Sequence, residues 1–305
     1  MANKVTILGV GNVGATLAYT LVSNALVDQL VLVNRNRARA EGEAADLSHA
    51  ASFTRRKTIV KAGGVDDTRG SDVVVIAASV VIEGSAPDRN AFAEGNLEIA
   101  RSWVPPLAMA SPDAVFVVVS NPVDVMTYIV SKLSGLASRQ VIGTGTLIDS
   151  GRWRSLLSDH LQIHPDDVRA YILGEHGETQ FPALSVAATG GERLDQGPLH
   201  EELFEQAKQA GVEVYRRKGY TNFAIAQATS LMIETILTDA RRTLPTSVLL
   251  DNYFGVSDVC LSVPVIIGRR GVLRQLRPHL NESEIAKLHA SADHVRQVIK
   301  RVFHP

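Results

Sequence analysis

The sequence predicts an α/β chain. A doubly wound parallel sheet is expected over residues 1–145, followed by an α+β domain over 146–305. Three observations predict it. A β-like run, a glycine turn and a helical pattern open the chain, from Lys4 to Ala18. Short, nearly continuous Val/Ile runs then recur with helix-like stretches between most of them, as a parallel sheet covered on both faces requires. Beyond about residue 145 that rhythm breaks.

The opening turn reads Gly9-Val-Gly11-Asn12-Val13-Gly14. Gly9 allows the tight turn, Gly11 lets a pyrophosphate approach the backbone, and Gly14 lets the helix pack closely on its strand. The helix N-terminus at Asn12 and Val13 offers unpaired N–H groups and a positive dipole end to phosphates. A second buried strand, Gln29–Asn34, ends twenty residues after Gly14, where a ribose-reading residue belongs in a Rossmann unit. Dinucleotide sites for NAD usually carry Asp or Glu there. Here it is Asn34, followed by Arg35. Asn34 removes the charge that would repel a 2′-phosphate, and Arg35 could pair with one. Alternatively Asn34 still bonds the ribose and Arg35 points into water. NAD is the expected cofactor, with NADP as the alternative.

Four further strands are read at Thr58–Lys61, Asp72–Ala78, Ala114–Ser120 and Gln140–Gly143. Helices are read at Val13–Asn24 and Ala91–Met109, the second carrying Pro105-Pro106, which should stop or kink it. In the second half helices are read at Asp149–Leu161, Glu201–Arg217 and Thr221–Thr243. Strands are read at Val168–Leu173 and Ala183–Ala187, and Ser247–Asp251 is expected to pair antiparallel with Val259–Val263. The last helix opens at Asn281 with Glu284 three residues on, a capping-box pattern, and Ile285, Leu288, Ala292, Val295, Ile299 and Val302 share one face.

Composition narrows the function classes. With 305 residues, 45% of them apolar, the chain can bury the cores of two domains. A net charge of −1 gives no global basic footprint for nucleic acid. The single cysteine, Cys260, stands between apolar residues and cannot form an internal disulfide, so a reducing compartment is expected. No secretory leader or membrane span is read, and the expected setting is soluble and cytoplasmic. No metal-ligand spacing is visible.

Three stretches carry reactive groups: Asn121-Pro-Val-Asp124, Asp149-Ser-Gly-Arg152 and Gly174-Glu-His-Gly177. Spacing alone does not bring Asp149, Arg152 and His176 together. Together with Val141–Asp149, Leu173–Gly177, Lys218–Thr221 and Pro264–Leu273, they resemble the L-lactate/L-malate dehydrogenase superfamily, in order and over nearly the whole chain. Several stretches resemble its L-lactate and L-2-hydroxyisocaproate members.

That resemblance implies an oxidoreductase exchanging hydride between a nicotinamide and a 2-oxo acid/L-2-hydroxy acid pair, in a homo-oligomer of two or four chains. His176 is then the acid/base, since imidazole titrates near neutrality. Asp149 holds the imidazole. Arg152 grips the substrate carboxylate with its planar fork. Arg89 closes over the site and polarises the carbonyl. Asn121 orients substrate and nicotinamide, and Thr221 and Ile225 line the pocket. At the position where the superfamily discriminates lactate from malate this chain has Glu83, or Ile82 if the loop is one residue longer. Neither suits oxaloacetate, whose second carboxylate Glu83 would repel. Either Val80, Val81 and Ile82 form an apolar mouth, or Glu83 faces inward and selects a polar or cationic side chain. Two alternatives stand beside this reading: a nucleotide-binding scaffold with little turnover, or a malate-type enzyme. Arg154 and Arg169 match the basic pair that binds a sugar bisphosphate in some relatives; otherwise they are surface arginines in a subunit contact.

Overall fold

The computed structural model describes residues 2–80, 89–194 and 197–303, and of residues 89–91 the backbone alone. The first half runs β1 (Lys4–Leu8), α1 (Asn12–Ser23), β2 (Gln29–Val33), α2 (Arg37–Ala51), β3 (Ile59–Ala62), β4 (Val73–Ile76), α3 (Arg89–Ala110), β5 (Val115–Val118), α4 (Val123–Ser134) and β6 (Val141–Gly143). The second half adds α5 (Leu147–Leu161), β7 (Val168–Arg169), β8 (Ile172–Leu173), β9 (Phe181–Pro182), β10 (Ala188–Thr189) and β11 (Glu192–Arg193). It ends with α6 (Pro198–Lys218), α7 (Phe223–Leu237), β12 (Arg242–Leu249), β13 (Cys260–Gly268), β14 (Gly271–Gln275) and α8 (Glu282–Val302).

Among the described residues, the main sheet has nine strands in the order β14-β13-β12-β6-β5-β4-β1-β2-β3. The six from β3 to β6 are parallel, in the doubly wound order whose switch point lies between β1 and β4. Val5, Ile7, Val73–Val75 and Val115–Val118 are sealed from water, as a sheet covered on both faces demands. The sheet does not stop at β6. Gly143 pairs antiparallel with Ser247 of β12, so the expected hairpin, longer than read, extends the same sheet. A Cβ on Gly143 would lie 2.2 Å from the Thr127 hydroxyl, so glycine lets β12 and α4 close on that edge.

Several expectations are corrected. Pro105 and Pro106 do not stop α3, which runs to Ala110. The residues four positions before the prolines, Arg101 and Ser102, are exposed, while Val104, Leu107 and Ala108 are buried. The stretch Ala183–Ala187 is a 3-10 turn at Leu184–Val186, not a strand. There the Ser185 amide donates to Glu284 of α8 at 2.9 Å, which pulls the backbone out of the extended form. The helix expected to reach Thr243 ends at Leu237, where positive φ at Asp239 and Arg241 turns the chain into β12. Val168–Leu173 splits into β7 and β8, which pair in different small sheets. The capping box forms: the Glu284 amide donates to Asn281 Oδ1 at 2.9 Å, and the Asn281 amide to the Glu284 carboxylate at 3.0 Å. Cys260 is fully buried, and burial raises its thiol pKa. Among the described residues no helix is long and apolar enough to cross a membrane.

Candidate active site

The glycine turn forms a cradle at the carboxyl edge of β1. Gly9 has φ +97°, and a Cβ there would lie 2.4 Å from the Ala78 amide nitrogen beyond β4. A Cβ on Gly14 would lie 1.9 Å from the Gly9 carbonyl, so glycine is what lets α1 sit against its strand. At Gly11 a Cβ would meet nothing within 4 Å. That open face, beside the first amides of α1 at Asn12 and Val13, fits a pyrophosphate. Asn34, at the end of β2, lies across the turn. Its Oδ1 accepts from the Val10 amide at 3.4 Å and its Nδ2 donates to the Asn36 carbonyl at 3.0 Å. Arg35 is exposed. The residues present therefore suit a dinucleotide.

The reactive groups do meet. Asp149 and Arg152 stand on the first turns of α5, one helical turn apart, and Arg152 Nη1 donates to Asp149 Oδ1 at 3.2 Å. His176, in the loop after β8, places Nδ1 2.5 Å from Asp149 Oδ2. One carboxylate thus joins the guanidinium and the imidazole. Asp149 is 1% exposed. Burial alone would raise its pKa, but His176 and Arg152 beside it hold it below the usual carboxylate value. Burial likewise pulls the His176 pKa down, and the Asp149 carboxylate outweighs it, leaving His176 above its ordinary 6.5. Its Nε2 makes no hydrogen bond among the described residues. A proton on that atom, a carboxylate anchor beside it and a dinucleotide cradle are what a carbonyl reduction needs.

Comparison with known proteins gives the family. The NAD binding domain of lactate/malate dehydrogenase matches residues 3–143, and the alpha/beta C-terminal domain of the same family matches 146–305. The chain belongs to the lactate/malate dehydrogenase family. An L-lactate dehydrogenase of Clostridium botulinum strain Okra is 37% identical over 97% of this chain and 96% of its own length. One from Synechococcus sp. (strain JA-3-3Ab) is 39% identical over 98% and 99%. The solved minor L-lactate dehydrogenase of Enterococcus mundtii, in a ligands-bound form, superposes with a TM-score of 0.94 at 31% identity, covering 100% of this chain and 99% of that one.

Within the framework of the lactate/malate dehydrogenase family, the remaining expected residues fall as follows. Arg89 is the first residue of α3, with its side chain outside the described part, and Ile82 and Glu83 lie outside the described residues. Asn121 ends the stretch after β5, exposed at the sheet edge. Thr221 and Ile225 are half-buried at the start of α7, which packs on α1 and α5. Arg154 and Arg169 line one recess with Tyr171 and Thr243, and the Arg154 Nε is buried without a partner among the described residues. Three residues received no role from sequence reasoning. Asn96, 1% exposed, donates to the Asn121 carbonyl at 2.7 Å and accepts from the Val80 amide at 2.8 Å. Asn222 donates to Thr16 of α1 at 2.8 Å and accepts from Lys218 Nζ at 2.5 Å. Its place before an apolar helix is the sequence signal, although it caps no amide of α7. Asp124, the third, accepts from the His176 amide at 2.7 Å.

Proposed function

We propose that this chain reduces a 2-oxo monoacid to its L-2-hydroxy acid, and reverses that reaction, using NAD(H). The observation that carries the proposal is the Asp149 carboxylate shared between His176 and Arg152. When bound, the nicotinamide supplies the hydride. Arg152 anchors the substrate carboxylate through its remaining guanidinium N–H donors. His176, charged and ring-oriented by Asp149, delivers a proton from Nε2 to the carbonyl oxygen, and takes it back in the oxidative direction. Asp149 stays ionised, so the imidazolium keeps its counter-charge. Arg89, at the head of α3, supplies the polarising cation that the family resemblance implies. Asn121 orients substrate and nicotinamide at the sheet edge, and Thr221 and Ile225 border them. A scaffold without turnover has no use for Arg152 and His176 converging on one buried carboxylate.

The proposed substrate is a branched or aromatic 2-oxo monoacid, received by an apolar mouth of Val80, Val81 and Ile82 with Glu83 in solvent. Oxaloacetate meets no extra arginine at that mouth; were Glu83 instead to face inward, a second carboxylate at ~4 Å would be repelled by about 1–4 kcal/mol. NAD is favoured over NADP because the Asn34 carboxamide is already tied to the glycine turn and retains lone pairs for a ribose hydroxyl. Initial rates at 340 nm with NADH and NADPH, across 2-oxo acids differing in size and charge, test this. NADH with a neutral, bulky acid is the expected optimum; a best rate with oxaloacetate contradicts the substrate proposal. We also propose a homo-oligomer of two or four chains in the cytoplasm, on the family resemblance and on the single buried thiol.

A further inference from the structure

We infer that Asp124 is a positioning residue: it pins the backbone of His176 while Asp149 orients the ring. The inference rests on the proposed acid/base role of His176. Asp124 stands in the first turn of α4, 52 residues before His176, and is 2% exposed. Its Oδ2 accepts the His176 N–H at 2.7 Å. The loop holding His176 is irregular, so no ladder fixes it there. Two residues earlier Gly174 is bridged to Ser262 of β13 by N–H···O bonds of 3.0 and 2.9 Å. One residue earlier Glu175 accepts from the Thr179 hydroxyl at 2.5 Å and faces His294 of α8 at 3.5 Å. Asp124 is what ties the loop at the histidine itself. Amide and ring of one residue are thereby fixed from two helices, α4 and α5.

The carboxylate is an expensive choice for that task. Burial pushes the group up to about 7, outweighing the Ser247 hydroxyl and the His176 amide beside it, which favour the charged form. A neutral acceptor would hold an amide with less penalty. What the acid adds is charge facing the imidazole, alongside that of Asp149. Asp124 also ends a path of hydrogen bonds joined by a short stretch of backbone. The Val80 amide bonds Asn96, Asn96 bonds the Asn121 carbonyl, and three residues on Asp124 bonds His176. The head of α4 thus sets the spacing between the sheet edge, where the nicotinamide ring is expected, and the residue that moves the proton. Misplacing such a group by 1 Å slows a reaction by roughly 10²-fold.

The test compares wild type, Asp124→Ala, Asp124→Asn and His176→Gln. The readouts are NADH oxidation with the best 2-oxo acid, NADH affinity by fluorescence, and the His176 ring titration by NMR. Asp124→Ala should lower kcat by roughly 10²-fold, with the KM for the acid and NADH affinity little changed. Asp124→Asn keeps an acceptor for the amide and should restore most of that turnover. It should also move the His176 titration to lower pH, because a facing negative charge is gone. Wild-type kcat in Asp124→Ala, or Asp124→Asn leaving the titration in place, overturns the inference. If Asp124→Ala does not fold, the titration in Asp124→Asn decides alone. Wild type inert toward every 2-oxo acid, or His176→Gln as fast as wild type, instead overturns the proposed function, and this inference falls with it.

Discussion

Asp149 serves two partners with its two oxygens, and its environment makes both services possible. A buried acid between two cations remains charged, and the imidazole it faces holds its proton to higher pH than a free histidine. Under the proposed mechanism reductive turnover needs that proton. It should therefore be level at and below about pH 6.5 and decline as pH rises through the raised His176 value, while hydroxy-acid oxidation slopes the other way. Asp149→Asn should move the alkaline limb of reduction to lower pH and slow the reaction by about 10²-fold or more; pH–rate profiles of the variant check both. Arg152→Lys keeps the charge but loses the planar fork. Its expected effect is a KM for the 2-oxo acid raised about 10- to 100-fold, the worth of one hydrogen bond to a charged group, measured with saturating NADH. At this scale the sequence was highly legible. Imidazole, carboxylate and guanidinium are what the chemistry requires, so His176, Asp149 and Arg152 could be named from motif and resemblance. Asp124 lay in a quoted motif but was given no role, because an amide–carboxylate bond across 52 residues leaves no local trace.

At the scale of single elements, the glycine turn offers a separation of fold from binding. Gly11→Ala points a methyl into open space, so the melting temperature should stay near wild type while NADH affinity falls. Gly14→Ala drives a methyl against the Gly9 carbonyl and should destabilise the N-terminal unit outright. Parallel melting and NADH-binding measurements distinguish the two. For α8, Asn281→Ala removes the cap and should lower stability by about 1 kcal/mol in a denaturant titration. Both devices were readable because turns and caps are local. The path of α3 was not, since Pro105 and Pro106 are strong breakers in isolation. They fall where Arg101 and Ser102 are exposed while Val104, Leu107 and Ala108 are buried, a balance visible only once the tertiary partners are in place. The turn at Leu184–Val186 misled for the same reason, its shape being fixed by Glu284 from a helix 99 residues away.

Across the whole molecule, one sheet carries the candidate site. Its parallel half presents the glycine cradle, Asn34 and Asn121 along the carboxyl edges of β1, β2 and β5. Its antiparallel half, joined at Gly143 and Ser247, backs the loop that holds His176 through the Gly174–Ser262 bridge. The parallel order follows from the recurring Val/Ile runs and the handedness of βαβ units, so it was legible. The antiparallel continuation was not, because pairing Gly143 with Ser247 rests on a missing Cβ and on contacts far apart in the chain. The contact between Asn222 and Thr16, 206 residues apart, ties the start of α7 to α1. The most direct test of proton delivery by His176 is the pH dependence of kcat/KM for 2-oxo acid reduction by wild type and His176→Gln. Wild type should lose rate with a single alkaline limb above 6.5, and His176→Gln should be slower by about 10²- to 10⁴-fold with that limb gone. A variant that keeps both the rate and the limb contradicts the assignment.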